Sequence, residues 1–375
     1  MRRSTATTVT QAEIARQLGI HQTTVSAILS GKRAEKFMPE MRERVVLAAE
    51  RLGYRPSAPA RALRGSKSGL IGVFHFGREK DVEFQRLREI VTAIHRDGYK
   101  PLAMPMDAKI MWLQEDEVSA CSVMLDSRVE GLVLSGFADD FDLTQLERFR
   151  AAGIPMVSVS GIKLPDIPLF AADRHQAIFE ATSHLIRKGR RRLVYLHRWS
   201  SALTGIASAP AFAPVDGFRR AAAEHGLSEE EAVPFIKPPP ATSGLSAYAA
   251  AESAMQEVLA SGLRPDGVVC YDDSWAIGVY GFCQRNGISI PDDIAVVGFE
   301  NQVLGAHLHP RLTSMAQPLA EIAGSAVEAL TASLAKTAAL PNRTHFFPCE
   351  LVVRESSRTR VDADSPIPIF AADLP

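Results

Sequence analysis

His21, Gln22, Thr23, Ser26 and Ala27 stand close together near the start of a 375-residue chain. They are small or hydrogen-bonding side chains, of the kind that can approach base edges and phosphates in a DNA major groove. That chemistry needs them on one outward face of a short helix. The stretch "QAEIARQLGIHQTTVSAILSGK" supplies such a helix: Ile14 and Leu18, then Val25, Ile28 and Leu29, recur with helical spacing in two short runs. Thr10 and Glu13 have the spacing of a capping box, so the first helix is predicted over Gln11–Leu18. Gly19 can take the left-handed backbone that ends it and turns the chain into the second helix. Thr10, Gln11, Thr24 and Ser30 complete the polar set offered to DNA. An ordinary helical hairpin with a polar outer face has the same spacing.

Charge separates these readings. Residues 1–68 carry 13 Lys and Arg against 5 Asp and Glu, a net of +8, while the remaining residues carry a net of −9. The formal total of −1 therefore conceals a basic head on an acidic body. A compact basic head suits phosphate contacts, because neutralising phosphates releases counterions and gives sequence-independent affinity. A third helix is predicted from Pro39 to Leu52, with Val45, Val46, Ala49 and Leu52 on its inner stripe and Gly53 as its stop. Lys32 and Arg33, in "KRAEKF" before that helix, are candidate phosphate contacts.

The segment "YRPSAPARALRGSKSG" has too few large apolar groups to fold alone. Ser57 could cap a marginal helix there, and Leu63 would be its one large apolar side chain, placed either to pack or to wedge between base pairs in a minor groove.

From Gly69 onward, apolar strands alternate with amphipathic helices. Strands are predicted at "LIGVFHF", "YKPLAMPM", "GLVLSG", "IPMVSVSG", "LFAAD", "RRLVYLH", "PDGVVCYDD", "IAVVGFE" and "LTSMAQP". Helices are predicted around 83–97, 175–188, 246–261 and 274–286. This alternation predicts doubly wound parallel sheets, and a stretch this long exceeds one such core, so two α/β lobes are expected. Ligands in such sheets sit beyond the carboxyl ends of the strands, so a cleft between the lobes is the expected site.

Five collinear stretches resemble the LacI family of bacterial transcriptional regulators: "VTQAEIARQLGIHQTTVSAIL", "MRERVVLAAERLGYRPSAPARALR", "HLIRKGRRRL", "WAIGVYGFCQRNGISIPDDIAVVGFE" and "ELVVRESS". The resemblance spans residues 9–357. It implies a small all-α helix-turn-helix headpiece over 1–56, a hinge over 57–68, and a two-lobed effector-binding and dimerisation domain of periplasmic-binding-protein type over 69–360. The first lobe is expected to combine 69–172 with 302–322, the second 173–301 with 323–360, and a Pro-containing tail to follow over 361–375. The resemblance further implies a homodimer on a pseudo-palindromic double-stranded operator, Leu63 as a minor-groove wedge, and control by a small molecule, a sugar or related metabolite, between the lobes. A repressor in the cytoplasm is the expected regulator.

Departures from the family pattern bear on mechanism. Ala27 stands where an Arg is frequent and His21 where Ser is, so base readout moves toward Gln22, Thr23 and thymine methyl contacts. In the effector cleft the family's Asp after "VVGF" stands as Glu300 and its Asn as Asp272, while Asp273 and Gln317 are retained. An Arg commonly found three residues before "GF" is replaced by Pro214, and the Asn-Pro-Phe-Phe stretch is missing from "FGREKDVEF". Arg198 could supply a replacement guanidinium fork.

Other chemistry finds little support. Cys121, Cys270, Cys283 and Cys349 have no CxxC spacing, which fits reduced, packed thiols and suggests no metal site. Without GxGxxG, GxxxxGK[ST], GxSxG or HExxH, dinucleotide, nucleotide, hydrolase and zinc-protease chemistry lack their local geometry, and no cofactor is expected. There is neither an apolar signal-peptide core nor an apolar run long enough for a membrane span. A binding protein of periplasmic type would share the two lobes and leave residues 1–68 unexplained. A sugar-processing enzyme would need paired carboxylates, which Asp272, Asp273 and Glu300 could supply.

Overall fold

The computed structural model describes residues 9–29, 36–54, 67–76, 81–105, 114–136, 143–160, 163–198, 214–237 and 247–358. Its contacts divide the chain into two compact units, Met1–Ser68 and Gly69–Pro375.

In the first unit α1 (Gln11–Leu18), α2 (Gln22–Leu29) and α3 (Pro39–Arg51) enclose a small core of Ile14, Ala15, Val25, Ile28, Val45, Ala48 and Ala49. Val46 does not join it as the sequence reading expects. The buried stripe of α3 runs through residues 45, 48 and 49, and Val46 lies one residue, or about 100°, off that line, where it is 42% exposed. Ser30, Lys32, Arg33 and the Ser57–Leu63 hinge lie outside the described residues, as does the 361–375 tail.

The second unit holds two six-stranded sheets. The first contains β1 (Leu70–Phe76), β2 (Lys100–Pro105), β3 (Gly131–Gly136), β4 (Met156–Val159), β5 (Leu169–Ala172) and β11 (Thr344–Phe347). They run in the order β2-β1-β3-β4-β5-β11, all parallel. The second contains β6 (Leu193–Arg198), β7 (Ala232–Lys237), β8 (Gly267–Cys270), β9 (Ala295–Phe299), β10 (Thr313–Ala316) and β12 (Glu350–Val352), in the order β7-β6-β8-β9-β10-β12. Only its last pairing, β10 with β12, is antiparallel. Strands β3, β8 and β9 are buried along their whole length, as parallel strands covered by helices on both faces must be.

The helices of this unit are α4 (Asp81–Arg96), α5 (Gln114–Asp126), α6 (Gln145–Ala151), α7 (Arg174–Arg187), α8 (Pro214–Glu224), α9 (Ala247–Ala260), α10 (Asp273–Arg285) and α11 (Leu319–Leu334). Helix α11 packs on α4 and on β3, β4 and β5. The chain passes between lobes after β5, after β10 and again between β11 and β12. The expected division of the late segments is therefore reversed for 313–316 and 323–347, while 319–322 and β12 lie in the lobes expected for them. Residues 313–316 pair with β9 in the second sheet, whereas 319–347 return to the first lobe and pair with β5. Short strands next to a crossover have the same composition whichever sheet they join, so pattern alone assigns them to either lobe.

In each sheet the strand order reverses beside its first strand, between β1 and β3 and between β6 and β8. That reversal opens a crevice at the carboxyl ends, where open α/β sheets bind ligands.

Candidate nucleic-acid interface and effector cleft

The helix pair of the headpiece is fixed by its caps. Thr10 Oγ1 accepts the Glu13 N–H at 3.3 Å, while the Glu13 carboxylate turns to Arg16 at 3.0 Å rather than back to the cap. Gly19, at φ +64°, closes α1 in the left-handed conformation that only glycine takes without strain. His21 then caps α2: its carbonyl accepts from Thr24 and Val25, and its ring Nδ1 accepts the Thr23 N–H at 3.4 Å. The same nitrogen lies 2.7 Å from Thr23 Oγ1. The departure at His21 thus has a structural use in the place where Ser or Asp ordinarily caps a helix. Thr10, His21, Gln22 and Thr23 are exposed, and Gln11, Thr24, Ser26 and Ala27 are half-buried, on the side away from Val25 and Ile28. The polar face expected for base and phosphate contact is therefore assembled, with His21 and Thr23 bound to each other and Gln22 unencumbered by the cap.

In the larger unit, Asp272 and Asp273 begin α10 beyond the end of β8. Asp272 is the N-cap, accepting the Trp275 N–H at 3.0 Å, and it is almost fully buried. Asp273 differs from its sequence reading. Its carboxyl is completely buried and committed to protein, with the Gln302 N–H donating to Oδ2 and the Ser314 hydroxyl donating to Oδ1, both at 2.6 Å. Burial pushes its pKa up to about 8, against hydrogen bonds that pull it down. Asp273 anchors the loop after β9.

That loop presents Glu300. Glu300 and Asn301 both have positive φ, +105° and +49°, a conformation that non-glycine residues hold only where their surroundings enforce it. The enforcing contacts are Asp273 on Gln302, Ser314 Oγ accepting from the Asn301 N–H at 3.0 Å, and Arg354 Nη2 donating to Asn301 Oδ1 at 2.8 Å. The Glu300 carboxylate accepts the Gln302 side-chain amide at 2.7 Å. Gln317 is half-buried just past β10, where the chain crosses to the first lobe. Arg198 is the last residue of β6, in register with Lys237, and its side chain lies outside the described residues.

Sequence reading missed the guanidinium that does occupy this region. Arg174, the first residue of α7, donates to the Tyr271 carbonyl at 2.6 Å and stacks 3.9 Å above the Phe299 ring and 4.6 Å from that of Tyr271. Burial works against its charge, but Tyr271, Tyr195, Glu300 and Asp272 outweigh it and hold its pKa above the ordinary value. A cation in the first turn opposes the helix dipole. That misplacement, directly after the capping Asp173, was the available signal. Across the cleft, Arg86, His75 and Ser135 cluster at the carboxyl ends of β1 and β3 and were likewise unassigned. Among the described residues no group of three His, Cys, Asp or Glu is placed to hold a metal, and no helix is long and apolar enough to cross a membrane.

A family model, the periplasmic binding protein-like domain, matches residues 182–357. The transcriptional regulator MalR of Streptomyces coelicolor is 30% identical over 357 residues, covering 92% of this chain and 96% of MalR. The chain belongs to the LacI family of helix-turn-helix transcriptional regulators. It is a sequence-specific DNA-binding regulator, which sets aside the periplasmic-type alternative. Catabolite control protein A of Priestia megaterium is 27% identical over 348 residues, covering 90% of this chain and 98% of that protein. The lac repressor dimer bound to operator and the anti-inducer ONPF shares the fold at a TM-score of 0.74 and 20% identity, with 94% and 100% of the two chains covered. The CelR–cellobiose complex superposes at a TM-score of 0.64, again at 20% identity, covering 93% of this chain and 99% of CelR.

Proposed function

We infer that this LacI-family regulator is a cytoplasmic repressor that binds a pseudo-palindromic operator as a homodimer and is controlled by a small molecule held between its lobes. The observation that carries the DNA reading is the exposed Gln22 and Thr23 pair on α2, in a segment, residues 1–68, of net charge +8. In this reading Gln22, Thr23, Ser26 and Ala27 face bases. Thr10, Gln11, Thr24, Ser30, Lys32 and Arg33 hold the backbone, His21 sets the start of the recognition helix, and Leu63 wedges the central step.

In the cleft, Glu300, Asp272 and Gln317 offer acceptors and Arg174 the fork first sought in Arg198, so that the loss of an Arg at Pro214 is made good from α7. The use of Asp272 as a helix cap and of Asp273 as a loop anchor speaks against a paired-carboxylate hydrolase, and no turnover is expected.

Selection of bound DNA from a random pool supplies the operator. On it, Gln22→Ala with Thr23→Ala should lose roughly 10- to 100-fold in specific affinity and relax base preference while keeping the salt slope of non-specific binding. Leu63→Ala should lose DNA bending on the same site. A double variant that retains wild-type preference at full affinity would refute the recognition face.

A further inference from the structure

Arg86 is a buried guanidinium with an unusual set of neighbours. It lies on the inner stripe of α4 with Val82, Ile90 and Ile94 and keeps 7% of its surface exposed. Its Nε donates to Ser135 Oγ at 3.2 Å, and that oxygen lies 3.1 Å from His75 Nδ1. Burial, then the charge of Arg86, lower the His75 pKa to about 4, so the imidazole is neutral and adds no second charge at pH 7. Gly136, at φ +77°, leaves the guanidinium its space, since a Cβ there would stand 3.0 Å from Arg86 Nη2 and 2.7 Å from the Phe76 carbonyl.

Among the described residues this cluster has no counter-ion. Among the described residues no carboxylate lies within ion-pair distance of Arg86, and Glu83 and Glu300 act on it only from farther away. Arg354, as deeply buried, is by contrast hydrogen-bonded through both Nη atoms, Nη1 donating to the Leu312 carbonyl at 2.7 Å and Nη2 to Asn301 Oδ1 at 2.8 Å. A desolvated cation with one hydroxyl partner is costly, and such groups gather where a ligand completes them. Arg86 also sits at the β1/β3 reversal, where the first lobe would meet a ligand.

We propose that Arg86 receives an anionic group of the effector, a carboxylate or a phosphate, and that the effector is a hydroxylated acid or a sugar phosphate. The planar fork of arginine suits both anions, and Glu300 and Asp272 across the cleft accept from hydroxyls. This deepens the cleft reading above and rests on it.

The test uses the full chain and matched probes: glucose, gluconate and glucose 6-phosphate, ribose and ribose 5-phosphate, and inorganic phosphate. Thermal unfolding and calorimetry are run on wild type, Arg86→Met, Arg86→Lys and Glu300→Gln. At least one anionic probe should bind, and Arg86→Met should weaken it by roughly tenfold or more, with Arg86→Lys losing less. Gluconate against the phosphates then identifies the anion. Without ligand, Arg86→Met should unfold no lower than wild type, because removing an uncompensated buried charge relieves a penalty. A large drop in its Tm makes Arg86 structural and overturns the proposal. So does binding of no anionic probe, or binding that ignores Arg86. Neutral sugars bound through Glu300 but not Arg86 overturn the anionic class and keep the cleft reading. Binding indifferent to both variants overturns the cleft reading itself.

Discussion

The two lobes of the body run their first five strands in the same spatial order but hold their helices in different ways. In the second lobe, helices meet backbone to backbone. A Cβ at Gly217 of α8 would collide with the His175 carbonyl of α7, and one at Gly278 of α10 with the Tyr248 carbonyl of α9 and, at 2.7 Å, with Ala251 Cβ. In the first lobe the crowded glycines lie in strands: Gly72 faces Met124 Sδ at 2.9 Å and Gly131 faces Leu330 Cδ1 at 3.0 Å, while Gly136 alone meets backbone, the Phe76 carbonyl at 2.7 Å. Side-chain tips can swing aside, whereas a helix backbone can move only by shifting the whole helix. The same topology therefore closes its helix pairs on backbone at Gly217 and Gly278 and its strands on side chains at Gly72 and Gly131.

The faces they turn to the cleft differ too. The second lobe offers Asp272 and Glu300, with Arg174 stacked beside them. The first offers Arg86 with a neutral His75.

The sharpest way to break this contrast is to place the same methyl group in both lobes. Gly217→Ala and Gly278→Ala should each destabilise the protein by about 3 kcal/mol, the upper range for overpacking, because the obstacle is a carbonyl. Urea unfolding gives the number. A loss below about 1 kcal/mol at both sites would show that α7/α8 and α9/α10 do not depend on close contact.

Much of this arrangement is legible in the residues, for identifiable reasons. Helix α1 ends where its caps place it, because Thr10 and Gly19 act locally. The long buried strands declare themselves as apolar runs. By contrast β7, β11, β12, α5, α6, α8 and α11 escape the periodicity reading. Strand β7 contains Pro234, β11 and β12 are only four and three residues long, and α11 is apolar and small around much of its circumference, with no clean stripe. In the site, Asp272 and Glu300 are reached only through family likeness. Arg86 and Arg174 each broke a local rule, a charge on an apolar stripe and a cation in a first turn. Local inconsistency of that kind is the signal in the sequence that singles them out.

A smaller effect separates the lobes by pH. Asp273 holds the Glu300 loop of the second lobe with a carboxyl whose pKa burial raises from 3.8 to about 8. The native state keeps this proton while the unfolded chain releases it near pH 4. The stabilising contribution is therefore complete below about pH 4 and fades as pH rises through 8, by at most about 1.4 kcal/mol per pH unit. Asp273→Asn removes the titration while its amide oxygen can still accept from Gln302 and its NH2 can donate to Ser314. Chemical denaturation at pH 5 and pH 6 should show the wild type losing about 1 kcal/mol more than the variant. Equal slopes would mean that Asp273 is ionised in the folded protein.

The smallest effect is expected in the first lobe, at Gly131. A methyl group there first meets Cγ and both Cδ atoms of Leu330, at 3.0–3.1 Å, and the backbone of Gly131 is not in the left-handed region. Leu330 must give by a few tenths of an ångström, which costs a fraction of the overpacking penalty at α10. Against that cost, alanine restricts the unfolded chain and favours the folded state by about 0.4–1 kcal/mol. The two nearly cancel, so Gly131→Ala should lie within about 0.5 kcal/mol of wild type, in either direction. Leu330 comes from α11, which reaches the first lobe only after the chain has passed through the second. A loss at Gly131→Ala approaching that at Gly278→Ala would mean that α11 is seated on the sheet as firmly as α9 is on α10. The contact at Gly131 would then be no softer than the one at Gly278.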